Sequence, residues 1–346
     1  MTKRTRVLLW ILAGSFVLAG CRGRSENFRT DSRSEEPAET SKEPLQVVAT
    51  LFPYYDFTRQ IAGEFVDLEL VLPAGMDSHS FEPTPADMRK IEEADVVICN
   101  GGAMEHWVSQ VLEAVDRPDL IVVCMMDYAD AVEEEAVEGM EDGGHGHGDG
   151  DGHGHSHGEE DVHDGHEFEI EYDEHIWTSP VNAMKFARVI EEVLSREDPA
   201  HEEQYRKGRE NFEDELAEIH RGFLQVAQDR KRNLIVVGDK FPFRYLADEY
   251  GFSYRAAFTG CSTDTEPSAK TIAYLIDKVR DEGIPAVYYL ELGSRRVSEI
   301  IGEETGAVPL LLHSCHNVTR REFEAGVTYV ELMKQNVENL RKGLDE

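Results

Sequence analysis

From Asp198 to about position 231 the chain carries one unbroken helical pattern, and that pattern sets the architecture of everything around it. Tyr205, Phe212, Leu216, Ile219, Phe223 and Val226 recur at three-and-four spacing with charged residues elsewhere, as in a helix that buries a single stripe. Asp198-Pro199 supplies a candidate N-cap followed by a first-turn proline. A helix of about 30 residues is about 45 Å long at 1.5 Å per residue, more than one small domain needs. It reads as a rigid connector, so the 346 residues divide into a part before it, the linking helix (198–231) and a part after it.

Both flanking parts repeat strand then helix. Before the connector, strands are expected at 45–52, 66–72, 95–101 and 120–125, with helices at 54–63, 86–94 and 107–114. After it, strands at 233–238, 253–258, 286–292 and 308–312 alternate with helices at 241–250, 268–282, 295–305 and 323–342. Short apolar strands separated by helices imply parallel sheets covered on both faces. The fold class is therefore α/β: two β/α lobes with parallel-type sheets, 45–197 and 232–346, joined by one long rigid helix. Open sheets of this kind place ligands beyond the C-terminal ends of their strands.

The stretch 139–165 interrupts the first lobe without a strand or helix signal. Within it and just after it, His145, His147, His153, His155, His157, His163 and His166 alternate with Gly, Asp and Glu, so that seven of the chain's 14 histidines fall in 22 positions. Such a composition builds no core. We read 139–166 as a disordered, exposed insertion whose histidines form auxiliary weak metal sites. The formal net charge of −34 agrees with a cation-collecting surface and also with simple solubility. It argues against nucleic acid as a partner.

The N-terminus sets the compartment. Lys3, Arg4 and Arg6 precede an apolar run at 7–18 too short to span a membrane as a mature helix, and Leu18-Ala19-Gly20 leads into Cys21. The segment resembles a bacterial lipoprotein signal, which implies cleavage after residue 20 and lipidation of Cys21. The protein is then expected on the extracytoplasmic face of the cell membrane, held through its lipid anchor. Residues 21–44 make a flexible tether reaching ~25–30 Å.

Three places offer metal-ligating chemistry. His79 lies in a Gly- and Pro-rich loop after the second strand, His175 sits beside Ile176 and Trp177, and His313 and His316 follow a strand directly in Leu312-His313-Ser314-Cys315-His316. Singly, each has a structural alternative: a surface loop histidine, a satisfied core histidine, a strand-end polar pair. Neutral imidazoles suit Zn²⁺ at ~2.0–2.1 Å and favour it over the harder Mn²⁺. No His-Glu-x-x-His helix or comparable catalytic spacing is present, so a zinc hydrolase has no support and no enzymatic turnover is implied.

Together, Gly75-Met76-Asp77-Ser78-His79 with Glu82-Pro83-Thr84-Pro85, the His-rich acidic insertion, Asp173-Glu174-His175-Ile176-Trp177, Glu266-Pro267-Ser268 with Ala269, and Glu304-Thr305-Gly306-Ala307 resemble the metal-specific solute-binding lipoproteins of ABC importers, in particular the zinc-uptake group. The resemblance covers position 45 to the C-terminus. It implies two lobes on one rigid helix, with the metal in the cleft between them. The implied ligands are His79 and His175, then Asp239 in Gly238-Asp239-Lys240, and then His313 with His316 as its competitor. The implied function is extracytoplasmic capture of Zn²⁺ by a monomer for delivery to a membrane permease and its ATPase. An Mn²⁺ or Fe²⁺ importer protein and a surface zinc buffer or adhesin are the alternatives.

Of the four cysteines beyond Cys21, Cys99 and Cys124 end apolar strands, where small buried thiols are the ordinary case. Cys261 and Cys315 each follow a strand of the second lobe. Adjacency of those strands in the sheet brings them within disulfide range, ~4.4–6.8 Å between Cα atoms, in a compartment that permits oxidation. The alternative is that Cys315 is a thiolate ligand between His313 and His316.

Overall fold

Residues 43–115, 117–140, 172–262 and 266–345 are described by the computed structural model. The signal segment, Cys21, nearly all of the tether and the histidines from His145 to His166 lie outside the described residues. The first lobe contains strands β1 (Leu45–Ala49), β2 (Val66–Leu70), β3 (Val96–Cys99) and β4 (Ile121–Cys124) with helices α1 (Phe52–Ala62), α2 (Pro85–Glu93) and α3 (His106–Ala114). All its strand pairs are parallel, in the order β2-β1-β3-β4. Helices α4 (Pro180–Glu197) and α5 (Glu202–Asp229) then lead into the second lobe. There β5 (Leu234–Phe241), α6 (Arg244–Tyr250), β6 (Ser253–Thr259), α7 (Ala269–Asp281), β7 (Ala286–Tyr289), α8 (Arg296–Thr305), β8 (Val308–Leu311), α9 (Arg320–Glu324) and α10 (Tyr329–Leu344) follow. The second sheet is again parallel, in the order β6-β5-β7-β8. In each sheet the connections change direction between the two central strands, the position at which such sheets open a crevice at their C-terminal edge.

Helix α5 buries Tyr205, Phe212, Leu216, Ile219, Phe223 and Val226, the six positions that its sequence period selects. Each such burial stabilises by about 1.5–3 kcal/mol relative to exposure. It packs against α1, α4 and α10, and one continuous apolar cluster reaches from Leu45 to Leu344 through this layer. The connector is thus the shared floor of both lobes. Its start differs from the expected cap: Pro199–His201 forms a 3-10 turn before α5. The Asp198 carboxylate bonds the His201 ring and the Tyr205 hydroxyl, at 2.6 and 2.8 Å, in place of capping the helix.

Several boundaries shift for local reasons. Phe52 opens α1 because Pro53 suits a first helical turn. The closing helix divides into α9 and α10. Thr319 and Thr328 each form a capping box, with Glu322 and Glu331 respectively, and Gly326 turns the chain between them at φ 74. Strand β5 continues to Phe241, which places Asp239 inside a strand. Gly139 and Met140 are described residues that lie against the second lobe: a Cβ at Gly139 would stand 2.1 Å from the Tyr274 ring of α7, and Met140 lines a small hollow with Phe241, Arg244 and Tyr254, so the expected start of the insertion at 139 is too early.

Candidate metal centre

Beyond β2 the chain passes Pro73 and Gly75 into a 3-10 turn, Ser78–Ser80. Asp77 caps that turn by accepting the His79 amide N–H at 2.8 Å, which sets the backbone of His79 and leaves its ring half-buried. His175 arrives just ahead of the turn Ile176–Thr178 that leads into α4. Its amide donates to Asp173 Oδ1 at 2.8 Å, and its Nδ1 lies 3.1 Å from the same oxygen. One carboxylate therefore orients both backbone and ring, as outer-sphere carboxylates do for metal-binding imidazoles. His316, from the second lobe, stacks on the Trp177 indole at 6.2 Å and 22°. Its Nε2 lies 2.6 Å from Ser78 Oγ and accepts the Ser78 amide at 3.2 Å.

The His79 ring lies 6.1 Å from that of His175 and 6.4 Å from that of His316, centroid to centroid. All three line one hollow of about 50 Å³, with Asp77, Lys240 and Gly260 on its wall. A Cβ at Gly260 would stand 2.9 Å from Asp173 Oδ2 and 3.3 Å from His175 Nδ1, so the glycine admits the Asp173–His175 pair. Two imidazoles on one tetrahedral zinc put their centroids about 5 Å apart. Among the described residues no three His, Cys, Asp or Glu side chains already converge to hold an ion. Completing that geometry requires the rings to move inward and His316 to free the ring lone pair that now accepts the Ser78 amide.

The three rings differ electrostatically. Burial and the neighbouring His175 charge pull His79 down to about 4, and burial takes His316 to about 4 against the pull of Asp77. Burial also disfavours the charged form of His175, but the Asp173 carboxylate outweighs it and holds the ring up at about 10. Two lone-pair donors are thus free of protons at neutral pH, and one ring carries a charge.

A larger hollow of about 340 Å³ adjoins the first, shares Asp77, Lys240, Ser314 and His316 with it, and adds Asp239 and Glu291. Asp239 lines only this outer hollow. Its Oδ1 accepts the Lys240 amide at 2.8 Å, and burial raises its pKa. His313 lines neither hollow: it is buried, its amide donates to Asn336 Oδ1 at 2.8 Å, and its Nδ1 accepts the Cys315 amide at 3.0 Å. Between the two histidines Cys315 adopts φ 59, in the left-handed region. That turn leaves His313 against α10 and brings His316 to the cleft.

The expected disulfide is absent. Cys261 and Cys315 are free thiols. Their parent strands, β6 and β8, are the two outer strands of the sheet with β5 and β7 between them, about 14 Å apart at 4.7–4.9 Å per strand. Cys315 is sealed in the core with its Sγ 3.7 Å from the His313 carbonyl, away from both hollows. Cys261 donates its amide to Glu134 Oε1 at 2.8 Å, and its thiol is hydrogen-bonded to the His175 ring. Asp77 and Lys240 as wall residues, and the Cys261 contact with His175, carry no motif of their own in the sequence. The position of Asp77 two residues before His79, where an Asx turn forms, was the one available signal.

The sequence profile of the family described as zinc-uptake complex component A, periplasmic, matches residues 47–343. Among curated relatives, the high-affinity zinc uptake system protein ZnuA of Bacillus subtilis is 28% identical over 342 residues, covering 97% of each chain. The zinc-binding lipoprotein AdcA of Streptococcus pneumoniae is 29% identical over 306 residues, which are 87% of this chain and 56% of that protein. This chain thus spans little more than half of the streptococcal relative. Among solved structures, the metal-dependent lipoprotein YcdH of Bacillus subtilis superposes with a TM-score of 0.69 at 26% identity, over 87% of this chain and 100% of that one. The Zn(II)-bound ZnuA-like domain of Streptococcus pneumoniae AdcA gives 0.67 at 26% identity, over 88% and 100%.

Proposed function

The chain belongs to the zinc-uptake complex component A family, and from that premise we propose that zinc is taken between its two lobes by His79, His175 and His316. It is the zinc-binding, substrate-binding component of an ABC zinc importer. Zinc is its cargo, and proteins of this type hand their ion to a permease driven by an ATPase. We read the chain as a lipid-anchored monomer that captures and releases the ion without turnover.

The observation that supports this ligand set is the single small hollow walled by all three imidazoles. Three nitrogen donors favour zinc over harder divalent ions. For the carboxylate, Asp77 is better placed than Asp239: it lines both hollows, and its charge acts on both His79 and His316. In this reading His313, which lines neither hollow, stands outside the ligand set.

Competitive titration against a chromophoric chelator tests the assignment. His79→Ala, His175→Ala and His316→Ala should each lose affinity by orders of magnitude, because water does not replace an inner-shell imidazole at equal strength. His313→Asn should stay close to the unsubstituted protein, and Asp77→Asn should weaken binding more than Asp239→Asn. Full-strength binding by His316→Ala, together with loss in the folded His313→Asn protein, would return the fourth ligand to His313.

A further inference from the structure

Cys99 closes β3 and Cys124 closes β4, and the two residues are Cα partners in the parallel register. Registered partners on adjacent strands project their side chains to the same face, with the strands about 4.8 Å apart. That spacing falls within the ~4.4–6.8 Å that a disulfide bridges between Cα atoms. The two sulfurs lie 3.1 Å from each other. Cys99 is fully buried, with its Sγ also 3.6 Å from the Val123 carbonyl. Cys124 is half-buried and stands on an outer strand of the sheet. One thiol can be reached from solvent and the other waits behind it, the asymmetry that stepwise exchange needs.

We propose that Cys99 and Cys124 form an intramolecular disulfide by exchange with an extracytoplasmic oxidant of the protein-disulfide class. The Cys124 thiolate attacks one sulfur of the oxidant's disulfide, forming a mixed disulfide and expelling the oxidant's other sulfur as a thiolate. Cys99 then gives up its proton to solvent and attacks the Cys124 sulfur. The internal S–S bond forms and the oxidant's second thiolate leaves, so two thiols are oxidised while one disulfide is reduced to two thiols. Protonation favours this order: the contact with Cys99 lowers the Cys124 pKa, whereas the same contact and burial push the Cys99 thiol up.

The bond would matter to the site because Cys99 adjoins Asn100, whose side-chain amide donates to the carbonyl of Glu174 at 3.0 Å. Glu174 directly precedes His175. Cross-linking the outer strand to β3 therefore fastens the sheet edge from which His175 is supported.

Formation in the cell rests on the extracytoplasmic reading, but the geometry does not, and the test separates them. The full chain, purified without reductant, is stripped of metal and acid-quenched; its thiols are alkylated and its peptides mapped by mass. A Cys99–Cys124 cross-linked peptide is expected, with Cys261 and Cys315 alkylated. The purified protein is also equilibrated with oxidised glutathione. Thiols in cell-derived protein that convert to this bond in glutathione would support the pair and fault only the compartment. Phosphine reduction should lower Tm by about 5–10 °C, and should leave the Tm of Cys124→Ala, which keeps the buried Cys99, unchanged. Alkylatable Cys99 and Cys124 after glutathione equilibration, or either one linked to Cys261 or Cys315, would overturn the proposal.

Discussion

In the proposed site, His175 is the residue at which proton and metal would meet. With His79 and His316 held near 4 and His175 held near 10, only His175 is protonated at neutral pH, so zinc has to displace its proton before it can bind that ring. Raising the pH toward 10 removes the competitor and strengthens binding, and lowering it weakens binding. The expected slope is about tenfold in affinity per pH unit around neutrality, with release of about one proton per zinc. Calorimetry in buffers of different ionisation enthalpy measures that number. A value near zero would mean that Asp173 does not hold the ring charged, and a value near two would add the Cys261 thiol to the shell. His79 and His175 could be singled out as candidates because their flanking residues carry recognisable local signatures, and their rings share one hollow. Which of His313 and His316 lines the hollow was not legible, because that turns on one positive-φ residue, Cys315, which leaves no mark in composition or spacing. The Cys261 error has a similar origin: a strand-end position is readable, whereas the order of strands across a sheet is set by tertiary packing.

The connector shows what an element's sequence does reveal. Helical period alone selected the buried stripe of α5, but it gave no account of the glycines on that stripe's flanks. A Cβ at Gly208 would stand 2.1 Å from the backbone carbonyl oxygen of Ile61 in α1, and backbone cannot step aside as a flexible side chain can. Exposed helix positions gain up to about 1 kcal/mol when glycine becomes alanine. At this crossing the clash should win, and Gly208→Ala should destabilise by about 1–3 kcal/mol, read as a lower urea midpoint at unchanged m-value. An increase in stability would show that α1 and α5 can separate without loss. The same crossing explains why strand and helix order was legible while the docking of the elements was not: close approach depends on an absent side chain, and a hydrophobic pattern records only those present.

At the scale of the whole molecule, the proposed centre joins two bodies. His79 and His175 come from the first-lobe side and His316 from the second, so an ion bound by all three adds a bridge across the cleft to those already made by Ser78 with His316 and by Asn317 with the Pro73 and Met76 carbonyls, the latter two at 2.8 and 2.9 Å. The chain as a whole carries a formal net charge of −34, which concentrates cations but is screened beyond about 8 Å at physiological ionic strength. Charge therefore governs how fast zinc arrives, and the buried rings govern how firmly it stays. On the sequence reading, the His-rich tract is assigned to the first of these tasks, because Gly-, Asp- and His-rich composition builds no core and weak sites follow from the entropy of ordering it. Ligand present at 1,000 times its Kd stabilises the form that binds it by about 4 kcal/mol, a Tm rise on the order of 10 °C for lobes of this size. Scanning calorimetry should show that rise in the full chain and equally in a variant lacking residues 141–165. The variant should lose only the additional, weaker zinc equivalents seen on titration. His316→Ala should keep those weak equivalents and lose most of the thermal shift, because a metal held by the first-lobe side alone leaves the cleft unbridged. If deleting 141–165 abolishes the shift, the insertion supplies ligands to the tight site, and the cleft assignment fails with it.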